Sequence, residues 1–193
     1  TWFVNLTNFM DGIDGITLAT FLPLAGGAVM LGSAGAMSAG TTLLAMAFLG
    51  ALAGFVFFNV PRARLFLGDV GSLSIGLIGG ALLLDLAQHG AMAAAIILPL
   101  YHFTDATATL LGRLMRREKV WEAHRQHAYQ RAVDGGWSHA RVSGIVLALN
   151  TALVGLATLT LGRSAAAQLG LVVIAFTAVV AVIVLFRSRK PAP

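Results

Sequence analysis

Six long apolar stretches, at 16–33, 40–58, 71–88, 91–111, 141–162 and 166–186, alternate with polar segments along the chain. Each is long enough for a tilted helix to cross the hydrocarbon core of a bilayer. Glycines such as Gly76, Gly79 and Gly80 recur inside them. Small residues let membrane helices pack closely, and glycine is penalised less there than in a soluble helix. The pattern predicts an all-α, polytopic transmembrane helical bundle with about six spans. No separate soluble domain and no internal repeat stands out, so residues 1–193 read as part of one integral-membrane domain.

The polar segments are unequal in charge. Four of them, 1–15, 59–70, 112–140 and the tail 187–193, would share one side of the membrane. At or beside them lie Arg62, Arg64, Arg113, Arg116, Arg117, Lys119, Arg125, Arg131, Arg141, Arg187, Arg189 and Lys190. Only Arg163 falls on the other side, where the connections 34–39, 89–90 and 163–165 are short. Basic residues concentrate on cytoplasmic loops, so the four segments are assigned to the cytoplasm. Asp11, Asp14, Asp69, Glu118, Glu122, His124 and His127 then face the same compartment. Polar chemistry gathered on one face suits an enzyme at a membrane surface better than a symmetric pore.

Composition agrees with this reading. The chain is 58% hydrophobic and 11% charged, against about 25% charged in a typical soluble domain. The net charge of +5 follows from the cytoplasmic loops and calls for no nucleic-acid partner. With no cysteine, neither a disulfide framework nor a thiolate metal site is available. The first residue is Thr1, and Trp2-Phe3-Val4 reads like the tail of an apolar segment, which suggests a fragment of a longer protein.

Three polar constellations can carry chemistry. The first, NLTNFMDGIDG at 5–15, holds Asn5, Asn8, Asp11 and Asp14, each aspartate followed by glycine. On a helix, carboxylates three apart share a face, and the glycines permit close backbone approach. Mg²⁺ suits such a group, since it takes one or two carboxylates and completes its shell with substrate phosphates. A polar turn capping the next helix is the plainer reading. The second, NVPRARLFLGDVGS at 59–72, sets Asp69 between glycines at a predicted helix entrance, where anionic phosphate is also favoured. Phe66 can stack on a base, and Arg62 or Arg64 can meet phosphate. The third, EKVWEAHRQHAYQR at 118–131, places His124 and His127 around Arg125, a set suited to a diphosphate or sugar. Zinc is disfavoured there by the lack of a third strong ligand close in sequence. Asp105, inside the fourth stretch, is costly at membrane depth and is a functional candidate for that reason. Asp85, His89, Trp137 and His139 read as interfacial and uninvolved.

In this order, the three motifs resemble the polyprenyl-phosphate N-acetylhexosamine-1-phosphate transferases, glycosyltransferase family 4. The resemblance extends over essentially the whole chain. HRQH at 124–127 resembles the branch that initiates O-antigen, since the peptidoglycan translocases carry a three-histidine run there. The resemblance implies that Asn5, Asn8, Asp11 and Asp14 belong to the nucleotide-sugar and catalytic loop. It implies that Asp69 is the metal-binding aspartate, Phe66 the aromatic stacked on uracil, and Asn59 a polar residue of the same pocket. His124, Arg125 and His127 would engage the diphosphate or sugar. Asp11, Asp14 and Asp69 are the expected catalytic residues, with Mg²⁺, or Mn²⁺ in its place, on Asp69. The implied partners are a UDP-N-acetylhexosamine, undecaprenyl phosphate and the lipid bilayer, with no nucleic acid. The implied place is the bacterial inner membrane, with the site on its cytoplasmic face. The family's aspartate-pair motif, on an earlier cytoplasmic loop, is absent from this sequence, so the fragment alone is expected to be inactive.

Two other classes fit less of the chain. An intramembrane aspartyl protease also needs two membrane aspartates, and Phe66-Leu67-Gly68-Asp69 faintly resembles its glycine–aspartate motif. The first glycine of that motif is missing, and the Asn/Asp and His loops go unused. A transporter would place charges near the midplane and often shows repeats; Asp105 is the sole candidate.

Overall fold

The computed structural model describes residues 1–119 and 124–188. The loop residues Trp121 and Glu122, and the basic tail residues Arg189 and Lys190, lie outside the described residues. Among the described residues the regular structure is all helical. In chain order the helices are α1 (Trp2–Phe9), α2 (Ile16–Ser33), α3 (Ala39–Asn59), α4 (Gly68–Gln88), α5 (Met92–Ile97), α6 (Leu100–Met115), α7 (Ala128–Asp134), α8 (His139–Thr158) and α9 (Ala165–Arg187).

Five of them, α2, α3, α4, α8 and α9, are long and apolar enough to cross a membrane. They coincide with five of the six apolar stretches to within a few residues. The remaining stretch, 91–111, is interrupted at Pro99 and forms α5 and α6. Proline has no N–H to donate and its ring crowds the preceding turn, which favours a break at Pro99, although α2 carries Pro23 without one. Side-chain caps start three of the helices. Ser38 accepts the Thr41 N–H at 3.1 Å before α3, Ser138 that of Arg141 at 3.3 Å before α8, and Ser164 that of Ala167 at 3.4 Å before α9.

The bundle is organised around α2, most of whose residues are buried, whereas α3 and α9 bury only a small minority of theirs. Helices α3, α4 and α8 all pack on α2. Leu43 and Phe57 of α3 and Leu169 and Ile174 of α9 face outward, as lipid-facing positions should. Two glycines of α4 let its neighbours come close. A Cβ at Gly76 would come within 2.9 Å of the Val4 backbone of α1, and one at Gly79 within 2.6 Å of the Phe21 ring of α2. These are the close approaches for which small residues are favoured between membrane helices.

Helix α6 departs from the apolar pattern. His102, Asp105, Thr109 and Arg113 are all buried and recur at intervals of three and four, so they form one inward stripe. The segments 8–15, 59–69 and 127–130, parts of the three motifs, meet at the end of the bundle where this stripe emerges. At the opposite end Asp85 accepts the Ser38 backbone N–H at 2.9 Å, tying α4 to the start of α3.

Candidate active site

The polar end is assembled by hydrogen bonds between residues far apart in sequence. Asn8, in the last turn of α1, donates from Nδ2 to Asp69 Oδ1 and to Ser72 Oγ, both at 2.9 Å. Ser72 in turn donates to the Gly68 carbonyl at 3.0 Å. Both N–H groups of the Asn8 amide are therefore available to orient the first turn of α4. Asp69 sits in that first turn, where the helix dipole favours negative charge, and it is exposed. Asn5, one turn earlier on α1, is exposed as well.

Asp11 and Asp14 have different surroundings. Asp11 is half-buried and its Oδ1 accepts the Thr17 hydroxyl at 2.6 Å. Burial raises its pKa above the ordinary aspartate value, and the Thr17 bond offsets part of that rise. A raised pKa keeps the proton on to higher pH, so activity that needs the carboxylate should lose its acid limb above the usual aspartate range. Thr17→Val removes the offsetting bond and should move that limb to higher pH still, as read from a pH–rate profile of the transfer reaction.

Asp14 is held on several sides. Its Oδ2 accepts the Ala63 backbone N–H at 3.2 Å and lies 3.3 Å from His139 Nδ1. Its carbonyl accepts the Ser143 hydroxyl at 2.7 Å. His139 Nδ1 also lies 3.4 Å from the Asp14 N–H. A neutral Nδ1 accepts that N–H, whereas a protonated one donates to the carboxylate instead. His139, expected to be uninvolved, is thus a direct neighbour of a candidate catalytic aspartate. The two lie 125 positions apart, so no local pattern could reveal it. Asn59 is buried and uses both ends of its amide inside the fold. It accepts the Gly15 N–H and donates to the Leu65 carbonyl, both at 3.1 Å, thereby shaping the loop that carries Phe66.

The third motif closes over the first. His127 is buried and precedes α7, where its N–H is accepted by Gln130 Oε1 at 3.2 Å in a capping-box arrangement. The His124 and His127 ring centroids are 4.8 Å apart, and Tyr129 stacks on His127 at 5.7 Å. Tyr129 and Gln130 press on Gly12. A Cβ at Gly12 would lie 2.5 Å from Gln130 Nε2 and 2.6 Å from the Tyr129 hydroxyl. Burial, aided by the nearby His124 and His102 rings, lowers the His127 pKa to about 3. His124 is lowered too, by burial and then by Arg113. Both imidazoles are therefore neutral near pH 7. Positive charge in this loop comes from arginine, and of the two rings His124 is the accessible one, since both His127 ring nitrogens are buried. Arg125 is exposed, 3.7 Å from Asp134, and Phe66, 69% exposed, stands clear beside Arg62 and Arg64.

Comparison with known proteins decides the family. The model of glycosyl transferase family 4 matches residues 1–87. A phospho-N-acetylmuramoyl-pentapeptide-transferase of Synechococcus sp. (strain JA-3-3Ab) is 37% identical over 164 residues, 79% of this chain and 45% of the relative. A probable undecaprenyl-phosphate N-acetylglucosaminyl 1-phosphate transferase of Bacillus subtilis (strain 168) is 28% identical over 159 residues, 77% of this chain and 43% of that protein. The chain belongs to glycosyl transferase family 4. It spans under half the length of these family 4 relatives. The family match takes in the first two motifs, and the alignments of over 150 residues are too long to end with it. Family 4 relatives of both the peptidoglycan and the N-acetylglucosamine kind are similar to the chain, so the comparisons leave its branch open.

The donor set agrees with a metal assisting a family 4 enzyme. Among the described residues no group of three His, Asp or Glu side chains could hold an ion by itself. Mg²⁺ does not need one, because it takes one or two carboxylates and completes its shell with phosphate oxygens and water. Asp69 fits that role. It is exposed, and Asn8 holds its Oδ1 while Oδ2 has no hydrogen bond among the described residues.

Several site residues escaped sequence reasoning. Thr17 and Ser72 orient aspartate-bearing segments, and Tyr129 and Gln130 form the contact with Gly12. Ser72, Tyr129 and Gln130 all lie inside the quoted motifs, which was the available signal. What was missing was any local reason to separate them from their neighbours.

Proposed function

We propose that this protein transfers an N-acetylhexosamine 1-phosphate from a UDP-sugar to undecaprenyl phosphate, releasing UMP. The reaction would initiate a cell-surface polysaccharide at the cytoplasmic face of a bacterial plasma membrane. The observation that carries this reading is the meeting of Asn8–Asp69, Thr17–Asp11, His139–Asp14 and Gly12–Tyr129 contacts at one polar end of the bundle. The basic loops at that end support the cytoplasmic assignment. HRQH at 124–127, in place of three consecutive histidines, favours a simple N-acetylated sugar: N-acetylglucosamine or a 6-deoxy relative such as N-acetylfucosamine or N-acetylquinovosamine.

In the reaction, an oxygen of the lipid phosphate bonds to the sugar-linked phosphorus. The bond from that phosphorus to the UMP oxygen breaks, and UMP departs with the electron pair. Mg²⁺ on Asp69 would screen the two anions and offset charge on the leaving phosphate. Exposed Phe66 offers a face to the uracil, and Arg62, Arg64 and Arg125 offer guanidinium groups to phosphate. Asp11, with its raised pKa, can take a proton from the lipid phosphate as the oxygen attacks. His124, neutral, hydrogen-bonds the sugar or the diphosphate without adding charge, while the buried His127 ring packs against it.

A radiolabel transfer assay tests this. Membranes bearing the full-length protein receive Mg²⁺, undecaprenyl phosphate and a panel of UDP-N-acetylhexosamines. Label is expected in the lipid phase with release of UMP, both abolished by EDTA. No transfer from any donor, with the protein shown to be folded, would overturn the proposal.

A further inference from the structure

Asp105 is fully buried halfway along α6, yet its carboxylate is saturated with partners from three helices. From its own helix, Tyr101 donates its hydroxyl to Oδ2 at 3.3 Å, and Thr109 donates to Oδ1 at 3.3 Å. From α9, the Arg187 guanidinium lies 4.0 Å from Oδ1 and donates to Thr109 Oγ1 at 3.2 Å. The shortest of its bonds goes elsewhere. Oδ1 accepts the backbone N–H of Ala128, the first residue of α7, at 2.8 Å.

That last bond gives the buried charge a purpose. Ala128 stands between His127 and Tyr129, the two residues whose rings stack and whose segment presses on Gly12. A buried carboxylate is costly unless it is paired and hydrogen-bonded. A well-packed apolar side chain could have filled the space without that cost. An apolar side chain could not, however, bind a backbone N–H and set the height of α7 over the aspartate loop. Arg187 offsets the charge, and Tyr101 and Thr109 fix the carboxylate's orientation, so the bond to Ala128 has a defined direction.

We propose that Asp105 is a positioning residue that holds the histidine loop over Asp11 and Gly12 through its bond to the Ala128 N–H. The kinetic consequence rests on the transfer reaction proposed above; the structural one does not. Two measurements on the full-length protein in nanodiscs separate them. The first is hydrogen–deuterium exchange. Losing one hydrogen bond to a charged group should speed exchange in residues 127–134 about 10-fold in Asp105→Ala, with α2 and α8 unchanged. The second is kinetics. A loop displaced by about an ångström should cost ~10²-fold in kcat, with the donor KM changing less. Asp105→Asn keeps an oxygen acceptor for Ala128 and should restore both loop protection and most of the turnover.

Unchanged exchange in 127–134 of Asp105→Ala would overturn the proposal. So would an Asp105→Asn protein with a protected loop but the turnover of the alanine variant, since Asp105 would then act through its charge. If Asp105→Ala does not insert, Thr109→Val keeps the volume and removes the hydroxyl linking Asp105 to Arg187. Its loop exchange should rise about 3-fold, and no rise would equally count against the idea. Should the transfer assay fail for the unaltered protein, the exchange comparison still decides the positioning role.

Discussion

Asp69→Asn is expected to lower transfer about 10³-fold while leaving the protein folded, because a metal-anchoring charge is worth several kcal/mol in such a transition state. The substitution keeps the shape of the side chain and an oxygen that can still accept the Asn8 amide, so the start of α4 should hold its place. What it removes is the negative charge at an exposed position beside the expected phosphates. The loss should be only partly recovered by raising Mg²⁺. Membrane reconstitution with a Mg²⁺ titration checks this, with thermal unfolding as the control for fold. Turnover near that of the unaltered protein would remove Asp69 from the metal role.

Gly12→Ala should come second in effect. The added methyl would need space already taken by Gln130 Nε2 and the Tyr129 hydroxyl, at 2.5 and 2.6 Å from the new Cβ. Both groups sit in α7 and are buried, so the substitution should push the histidine loop off the Asp11 turn. A displacement of about an ångström between catalytic groups can cost ~10²-fold, and that is the expected fall in kcat. Gly26→Ala, in α2 with nothing within 4 Å of its Cβ, serves as the comparison and should be close to silent. Equal activity of the two variants would mean that the contact between the loops is dispensable.

The two predictions differ in how far the sequence leads to them. Asp69 stood out because a carboxylate between glycines at a helix entrance can hold a metal and the family resemblance implies that role, and the structure puts it at an exposed helix start. Gly12 was visible as a glycine, but its neighbours were not. The histidine loop was recognised from its residue types as a set suited to a diphosphate or sugar; that burial keeps His124 and His127 neutral was not legible there. Asp105 was noticed for its cost at membrane depth, and its partners on α7 and α9 could not be guessed. His139 was read as interfacial and uninvolved, and the structure puts it beside Asp14.

The sequence by itself determined the class of the chain, the place of the spans and the side on which polar chemistry gathers. Those properties depend on local hydrophobicity and charge, which a bilayer reads segment by segment. The break of the fourth stretch at Pro99 was not among them, since Pro23 leaves α2 continuous. Tertiary structure alone decided which polar groups meet. Asn8 reaches Asp69 across 61 positions and His139 reaches Asp14 across 125. Such meetings depend on how α1 settles on Gly76, how α2 settles on Gly79 and how α7 is held above α6. They are set by packing and by the need to satisfy buried polar groups, and both arise only once the helices are side by side.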